Sequence, residues 1–441
     1  MAIAFAGGVH PPESKDSTQG LASQDVKAPE TLVVPLQQHL GAPANPVVKQ
    51  GDKVSMGTLV GEPAGYISAA VHSPVSGEVL GVEMRPLPVG RRGLCVVIKN
   101  DGQERWAEGC NAESDPANLD AKAIRERVRA AGVVGMGGAT FPTDVKLAPP
   151  ENKAIEILIV NGAECEPYLT ADHRLMLEDA LAIVLGADLA RRAAGARELI
   201  FAVEENKPDA FEVIRQASAG LKDAGTQILP TRYPQGAEKQ LIKVLTGREV
   251  PSGGLPMDVA VLVQNVATCA AVYYAVKFNR PLIERIVTVT GPCAAAPGNF
   301  RVRVGTPYAD LLKVVGFSKP PRRIVMGGPM MGIAQSSLDI PVTKGTSGLV
   351  LMDDIPADEW LPCIRCGKCV RACPVSIAPN ELGVLLEFGQ IDQASTLDLL
   401  DCIECGCCTY VCPSRRPIVN WVKAGKAELA ARRARQGKAA K

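Results

Sequence analysis

Eight cysteines near the C-terminus form the same pattern twice, and this pattern constrains the chain more than any other feature. Both runs read C-x2-C-x2-C-x3-C-P, and each cysteine of the second run follows its counterpart by 39 residues. The runs contain Cys363, Cys366, Cys369 and Cys373, before Pro374, and Cys402, Cys405, Cys408 and Cys412, before Pro413. This is the ligand spacing of [4Fe–4S] clusters, so the sequence predicts two clusters and one-electron transfer.

The ligand sets are expected to cross between the runs, because the fourth cysteine of such a run usually binds the other cluster. Cluster 1 is assigned Cys363, Cys366, Cys369 and Cys412, and cluster 2 is assigned Cys402, Cys405, Cys408 and Cys373. Structural zinc is the alternative, but its four-ligand sites leave the third cysteine and the Cys-Pro of each run unexplained. Cys407 breaks the spacing and is predicted not to be a ligand.

The segment between the runs carries apolar residues at helical spacing from Glu381 to Leu400, and Pro379 is a suitable helix start. This pattern favours a helical two-[4Fe–4S] ferredoxin domain over residues 355–424. The tail at 425–441 is rich in Ala, Lys and Arg and is predicted to be a solvated helix. A basic contact with a membrane surface or a partner is the alternative for this tail.

Composition excludes some classes of function and favours a reducing compartment. A net charge of +1 and an aromatic content of 4% give no support for a nucleic-acid partner. Nine of the 14 cysteines lie in the two runs, and the N-terminus lacks the pattern of a signal peptide, which favours the cytoplasm. The most apolar stretch, Met257 to Val276, is interrupted by polar residues, so we expect no membrane-spanning helix.

The rest of the chain divides into four segments with different patterns, which predict a multidomain α/β protein. Residues 1–30 are predicted to be an extended arm, and 31–105 an all-β domain. That domain resembles the barrel-sandwich fold of biotinyl and lipoyl carriers, but Tyr66 to Ala70, at the expected hairpin tip, has no lysine to modify. Residues 111–282 alternate helical and strand patterns, and residues 283–345 return to β-structure.

Four loops of the α/β region have compositions suited to nucleotide binding. The first, Gly132 to Thr143, is rich in glycine and could hold a phosphate with its backbone N–H groups. The others are Val160 to Pro167, Tyr233 to Gln240 and Gln264 to Thr268, each at a predicted strand exit or helix start. Taken singly, each loop is more typical of an ordinary turn or helix cap than of a nucleotide site.

In this order the four loops resemble those of the flavin-carrying, NADH-oxidising subunit of respiratory complex I. The resemblance covers about residues 130–340 and implies a β-grasp (SLBB-type) domain at 283–345 after an FMN- and NADH-binding domain at 111–282. Four positions depart from the family pattern: Met136 replaces arginine, Ala163 aspartate, Ala237 glutamate and Gln264 asparagine. Because of these departures, the affinity and geometry of nucleotide binding could differ from those of the family.

The resemblance also implies roles for individual residues, with FMN and NAD(H) as cofactors. Gly135, Gly137 and Gly138 would approach the phosphate, Lys146 would neutralise it, and Asn161, Asn265 and Thr268 would hydrogen-bond the flavin. The remaining predicted cofactor-binding residues are Glu164 and, on the nicotinamide-nucleotide side, Phe141, Glu166, Glu238 and Lys239. No catalytic acid or base is predicted, because hydride transfer needs positioning rather than proton chemistry.

The whole chain is similar to the C subunits of the Rnf (Rsx) electron-transport complexes. The shared motifs include G-G-V-H-P-P-E at Gly7, G-G-P-M-M-G at Gly327 and both cysteine runs. The resemblance implies a peripheral subunit on the cytoplasmic face of the bacterial inner membrane that oxidises NADH and is coupled to ion translocation. Its implied partners are membrane subunits, a ferredoxin-like subunit, and ferredoxin or another low-potential acceptor.

Two other functions remain open from the sequence. The first is a flavin and iron–sulfur enzyme similar to cobalamin reductase, although those proteins usually begin near the glycine-rich loop. The second is a non-catalytic subunit that relays electrons through its iron–sulfur clusters or serves as a docking subunit, and that binds no nucleotide. The A subunit of the sodium-pumping quinone reductase is a further relative, but it lacks the clusters.

Overall fold

The structure, a computed structural model, describes residues 5–88, 90–355 and 359–439, with side chains to residue 435. The first four residues of the predicted arm and the last two of the predicted tail lie outside these ranges. Within them, the chain forms four sheets and a helical C-terminal region. None of the helices in these ranges has both the length and the hydrophobicity that a membrane span requires.

An all-β domain of two small sheets follows the N-terminal arm. The arm contains strand β1 (Gln24–Asp25), and the domain contains β2 (Thr31–Pro35), β3 (Asn45–Pro46), β4 (Lys53–Val54), β5 (Leu59–Glu62), β6 (Val71–His72), β7 (Gly77–Pro86) and β8 (Arg92–Asn100). One sheet has the order β2-β8-β7-β4 and the other β3-β5-β6. Valine and leucine side chains between the sheets form its core, as predicted for a barrel sandwich.

An α/β domain with a fully parallel sheet lies next in the chain. Its elements are α1 (Ala121–Ala130), α2 (Thr143–Lys146), β9 (Ile157–Gly162), α3 (Ala171–Glu178), α4 (Ala180–Ala194), β10 (Glu198–Glu204), α5 (Pro208–Ser218), β11 (Ala224–Leu229), α6 (Glu238–Thr246), β12 (Val261–Asn265) and α7 (Val266–Phe278), with a 3-10 turn at Pro256–Val259. The strand order is β11-β10-β9-β12. The carboxyl ends of all four strands therefore share one edge, where ligands of such sheets bind.

A six-stranded mixed sheet forms the β-grasp region. Its elements are β13 (Glu284–Thr290), β14 (Gly298–Arg303), α8 (Tyr308–Val315), β15 (Arg323–Met326), β16 (Ile333–Ala334) and β17 (Gly348–Met352). The order β1-β14-β13-β17-β15-β16 corrects two predicted boundaries. Strand β17 lies beyond residue 345 yet is central, because its apolar residues are buried between β13 and β15. Strand β1 of the arm pairs in parallel with β14.

Short helices surround the two cysteine runs at the C-terminal end. They are α9 (Lys368–Ala372), α10 (Pro379–Glu387), α11 (Ile391–Ser395), α12 (Cys407–Tyr410) and α13 (Ile418–Ala439), with a 3-10 turn at Leu399–Asp401. Helix α10 begins at Pro379, which confirms the predicted helix between the runs. Its buried Leu382 packs in one core with Val422 of α13, so the long final helix closes the helical ferredoxin domain.

Candidate cofactor sites

The glycine-rich loop lies against the N-terminus of helix α7. The Met136 N–H donates to the Thr268 hydroxyl at 2.9 Å. A Cβ added to Gly137 would lie 3.2 Å from the Cβ of Asn265, so this residue must be small. Gly138 has a φ of +130°, and a Cβ added to it would meet nothing within 4 Å. The predicted loop and the predicted Asn265–Thr268 segment are therefore brought together, and open space remains beside Gly138.

The carboxyl edge of the parallel sheet carries two predicted asparagines side by side. Asn161 of β9 and Asn265 of β12 occupy paired positions in adjacent strands. The Asn265 side-chain oxygen Oδ1 caps helix α7 by accepting from the Ala267 N–H at 2.9 Å. The Asn161 amide donates to the Gly236 carbonyl at 2.9 Å. The two side chains thus connect the sheet edge to the helix start and to the Tyr233–Gln240 loop.

An ion pair joins two of the predicted cofactor-binding residues. Lys146 of α2 donates to Glu238 of α6 at 2.6 Å, so these two predicted residues meet. Both side chains are partly exposed, which leaves Lys146 able to exchange its carboxylate for a phosphate. Lys239 follows in the first turn of α6, and Phe141 accepts from the Gly135 N–H through its carbonyl at 2.9 Å.

The residues of this edge fit a phosphate-bearing flavin in composition and in their hydrogen-bonding capacity. The side-chain nitrogens of Gln235 and Gln264 are buried and have no hydrogen-bond partner among the described residues. A buried donor without a partner is costly, and a bound polar group would satisfy it. FMN offers phosphate, ribityl and ring oxygens for such donors, and the open space at Gly138 would admit its phosphate.

Two predicted cofactor-binding carboxylates already have partners within the protein. Glu164 accepts from the backbone N–H groups of Asp172 and His173, at 2.7 and 3.1 Å, and so caps helix α3. Glu166 accepts from Met330 and Met331, at 3.2 and 2.7 Å. The oxygens of both side chains thus satisfy backbone donors of the protein, and their roles on the nucleotide stay predictions.

Burial makes two carboxyl groups near this edge unusually basic. It raises the pKa of Glu166 to about 7, against the opposing effect of the Met330 and Met331 N–H groups. Burial, and then the nearby Glu164 charge, raise the pKa of Asp172 to about 7. Asp172 accepts from the Asn265 amide at 2.6 Å, so this carboxyl group orients a predicted flavin ligand.

A cavity of about 80 Å³ opens beside the glycine-rich loop, between helix α7 and strand β13. Its lining includes Met136, Asp172, Ala267, Tyr274 and Arg280. None of the twelve predicted cofactor-binding residues lines it. The loop is therefore not closed off, but this cavity lies to one side of the predicted residues.

Each cysteine run closes on a cavity together with the last cysteine of the other run. The cysteines lining the first cavity are Cys363, Cys366, Cys369 and Cys412. The cysteines lining the second cavity are Cys402, Cys405, Cys408, Cys373 and Cys407. These groupings support the crossed ligand sets. Cys407 shares the second cavity, and helix α12 begins at this residue.

The cysteines are spread around these cavities. No three His, Cys, Asp or Glu side chains within the described ranges converge closely enough to hold a single metal ion. A [4Fe–4S] cluster takes one thiolate at each of four iron corners, so its ligands stand farther apart than those of one zinc ion. The residues present fit two such clusters.

The cysteine loops and the α/β domain are joined by a buried tyrosine. Tyr233, 2% exposed, donates from its hydroxyl to the Cys405 carbonyl at 2.7 Å. Its backbone pairs with Val9 of the arm, and the neighbouring Gly8 N–H donates to the Ala372 carbonyl at 2.9 Å. A Cβ at Gly7 would lie 2.5 Å from the Cys373 carbonyl, so only glycine fits there. The arm is thus packed between two domains.

A fully buried lysine that sequence reasoning missed fixes the start of the glycine-rich loop. Lys344 donates to the carbonyls of Gly132 and Ala70, at 2.7 and 2.8 Å. Ala70 is the last residue of the Tyr66–Ala70 segment, which corresponds to the hairpin tip where carriers bear their modified lysine. Burial lowers the pKa of Lys344 to about 7. The only sequence signal was a lysine within an otherwise apolar and small-residue segment.

Four family models match successive parts of the chain. They are the RnfC barrel sandwich hybrid domain at residues 3–103, the Nuo51 FMN-binding domain at 128–274, the SLBB domain at 286–334 and the 4Fe-4S dicluster domain at 362–415. The FMN and dicluster assignments agree with the cofactors predicted from the loops and the cysteines. Among solved structures, an NAD+-reducing [NiFe]-hydrogenase in the H2-reduced state shares the fold, with 22% identity and a TM-score of 0.50 over 73% of this chain and 68% of that one.

Two curated relatives are similar over almost their whole length. The C subunit of the proton-translocating ferredoxin:NAD(+) oxidoreductase complex of Clostridium ljungdahlii is 44% identical over 97% of this chain and 94% of its own. The C subunit of the Na(+)-translocating ferredoxin:NAD(+) oxidoreductase complex of Acetobacterium woodii is also 44% identical, over 97% and 98%. The chain therefore belongs to the family of C subunits of ion-translocating ferredoxin:NAD(+) oxidoreductase complexes.

Proposed function

We propose that this chain exchanges electrons between NAD(H) and the other subunits of an ion-translocating complex, through FMN and two [4Fe–4S] clusters. One observation carries the proposal: the Tyr233–Gly236 segment contacts both cofactor regions. Tyr233 donates to Cys405, and three residues later the Gly236 carbonyl accepts from Asn161. The predicted flavin edge and the cluster 2 loop thus share one short segment.

The chain's own residues would hold and orient the flavin at the sheet edge. The N–H groups around Gly137 and the Lys146 ammonium would bind the phosphate, and Asn161 and Asn265 would bind the ring or ribityl oxygens. When bound, FMN takes hydride from NADH and releases electrons singly. Glu238 and Lys239, at the start of α6, stay our candidates for the nucleotide side.

Glu164 and Glu166 are proposed as positioning residues. Glu164 fixes helix α3 and with it Asp172, which orients Asn265. Glu166 holds the Gly327–Gly332 loop of the β-grasp sheet through two backbone N–H groups. That loop contacts the cluster 2 loop, because the Met330 carbonyl lies 2.8 Å from where a Cβ of Gly406 would be. Both carboxylates therefore support the geometry between the cofactor regions.

The assembly context is also part of the proposal. Relatives named as C subunits of proton- or Na(+)-translocating complexes suggest a peripheral position on the cytoplasmic face of a bacterial inner membrane. Membrane subunits, a ferredoxin-like subunit, and ferredoxin or another low-potential carrier would be its partners. The coupled ion differs between the two relatives.

Anaerobic purification followed by reconstitution with iron, sulfide and FMN tests the proposal. Addition of NADH should bleach first the flavin absorbance and then the cluster absorbance. The same chain reconstituted without FMN is the control and should show no bleaching. A chain that retains both clusters but neither binds FMN nor responds to NADH would instead be a non-catalytic relay or docking subunit, a function kept open by Met136, Ala163, Ala237 and Gln264.

A further inference from the structure

The two cysteine loops have the same backbone shape but lie in different surroundings. Arg365 and Glu404, at equivalent positions, have φ values of +54° and +58°, and the next equivalent pair, Gly367 and Gly406, have +71° and +79°. A Cβ at Gly406 would meet the Met330 carbonyl at 2.8 Å, whereas one at Gly367 would meet only Arg371 of its own loop, at 3.3 Å. One loop is docked within the chain, and the equivalent face of the other is open.

The charges of the two loops differ in the same way. The first run carries Arg365, Lys368 and Arg371, all exposed and without an ion pair within the described part of the chain. At the equivalent positions the second run has Glu404, Cys407 and Tyr410. Glu404 is neutralised by Lys426 at 2.9 Å. The open loop is therefore basic, and the docked loop has no unbalanced charge.

The cavities of the two clusters repeat this contrast. The second cavity is lined by apolar side chains and cysteines, with no charged residue. The first is lined by Arg365, Lys368 and Arg416, and by no acidic residue. Arg416 is paired with Glu387, so the first two supply its unbalanced charge. Apolar side chains also project at this rim, since Ile364 is 66% exposed and Leu361, beside Ser414, is 65% exposed.

We propose that the loop of residues 363–371 is the docking surface for a one-electron carrier whose redox centre lies beneath an acidic surface. The proposal rests on the proposed function and adds an order to it. Cluster 2, joined to the flavin edge through Tyr233, is the inner cluster, and cluster 1 is the outer one. A surface that combines unpaired basic side chains with exposed apolar ones suits a transient partner, because opposite charge speeds encounter and orients the partner.

The electrons balance over two docking events. Oxidation of one NADH to NAD+ releases two electrons and one proton. Two molecules of oxidised partner dock in turn, and each takes up one electron beside the 363–371 loop. The proton is released to water. In the reverse direction, two reduced partner molecules each supply one electron at the same surface.

Binding of an acidic 2[4Fe–4S] ferredoxin to the reconstituted chain, measured by calorimetry without NADH, tests the docking surface. The Kd should rise about tenfold or more when the NaCl concentration is raised from low to physiological ionic strength. Arg365→Glu/Lys368→Glu should also raise it at least about tenfold. A matched control, Lys27→Glu/Lys222→Glu, changes net charge equally at exposed sites elsewhere and should leave the Kd within about twofold.

Three further measurements keep the result interpretable. Iron and sulfide contents show whether each variant keeps both clusters. If the Arg365→Glu/Lys368→Glu variant loses iron, Arg365→Gln/Lys368→Gln takes its place and should weaken ferredoxin binding by a smaller factor. Basic cytochrome c should bind the charge-reversed variant more tightly than the wild type. NADH bleaching of the wild type reports separately on the proposed function.

Two outcomes would overturn the docking proposal. One is an unchanged ferredoxin Kd in the charge-reversed variant, or an equal change in the control variant. The other is loss, in the charge-reversed variant alone, of binding to phosphatidylglycerol vesicles while ferredoxin binding is unaffected. That result would make the loop a membrane-facing surface.

Discussion

The Lys344 ammonium lies 2.7 Å from the Gly132 carbonyl, at the point where helix α1 gives way to the glycine-rich loop. The lysine is fully buried and reaches Ala70 of the barrel-sandwich domain with the same nitrogen. One side chain therefore fixes the glycine-rich loop against both the β-grasp domain and the barrel-sandwich domain. Burial lowers the pKa of this amine from 10.5 to about 7.

Lys344 should make stability depend on pH in the alkaline range. Between about pH 7 and 10.5 the unfolded chain binds a proton at this amine that the folded chain does not. The free energy of unfolding should therefore rise with pH across this window, by at most about 1.4 kcal/mol per pH unit. Lys344→Met should remove this contribution to the slope, measured by urea unfolding at several pH values. Lys222→Met, at an exposed site, should keep it; equal slopes in all three proteins would contradict the prediction.

Gly137→Val should abolish FMN retention and leave the iron content unchanged. A Cβ at this position already reaches 3.2 Å from Asn265, and the extra methyl groups would push the loop away from helix α7. FMN released by denaturation and iron are measured on the same sample. Gly220→Val is the matched control, because nothing lies within 4 Å of its Cβ position. Normal FMN content in the Gly137 variant would show that the loop does not hold the phosphate.

Cys366→Ser should lower iron from about eight to about four per chain, or further if cluster 2 depends on its neighbour. Cys407→Ser offers a sharp comparison, because Cys407 lines the second cavity but falls outside the ligand spacing. It should keep about eight irons. Iron analysis with electron paramagnetic resonance after dithionite reduction distinguishes the two variants. A loss of iron in the Cys407 variant would mean that the second ligand set has been misassigned.

Tyr233→Phe should loosen the contact between the flavin edge and cluster 2. The change removes only the hydroxyl, and the buried Cys405 carbonyl loses its donor at a cost of about 1–3 kcal/mol. Chemical denaturation should show that loss, and stopped-flow absorbance should show slower cluster reduction after a normal flavin phase. Tyr66→Phe, at a 67% exposed tyrosine, should change neither. Unaltered cluster reduction in the Tyr233 variant would exclude a role for this contact.

Local spacing made the cysteine cavities and the helix at Pro379 predictable from the sequence. The crossed grouping of Cys373 with the Cys402 run follows from a regular motif, and loop composition placed Asn161 and Asn265 at one edge. The same reasoning missed contacts between distant residues. Strand β1 pairs with β14, and Lys344 meets Ala70, across more than 270 residues in each case, without any local signal.

Glu166 shows the same limit at the site. Its family motif predicted a nucleotide contact, but the backbone N–H groups of Met330 and Met331 already occupy its oxygens. A motif gives the residue type at a position, but it does not show which distant backbone groups the fold brings into hydrogen-bonding distance of that residue. The central position of Gly348–Met352 had to come from the structure for the same reason, because strand order depends on pairing between distant segments.

The arm at Gly7–Val9 has a consequence for biogenesis. It is among the earliest parts of the chain to leave the ribosome, yet its neighbours include Ala372 and Cys373, which are made more than 350 residues later. The arm can therefore take its final place only after the cysteine-containing end of the polypeptide has been synthesised. Seating of these residues is a late step of folding, and until then the arm lacks the contacts that hold it between two domains.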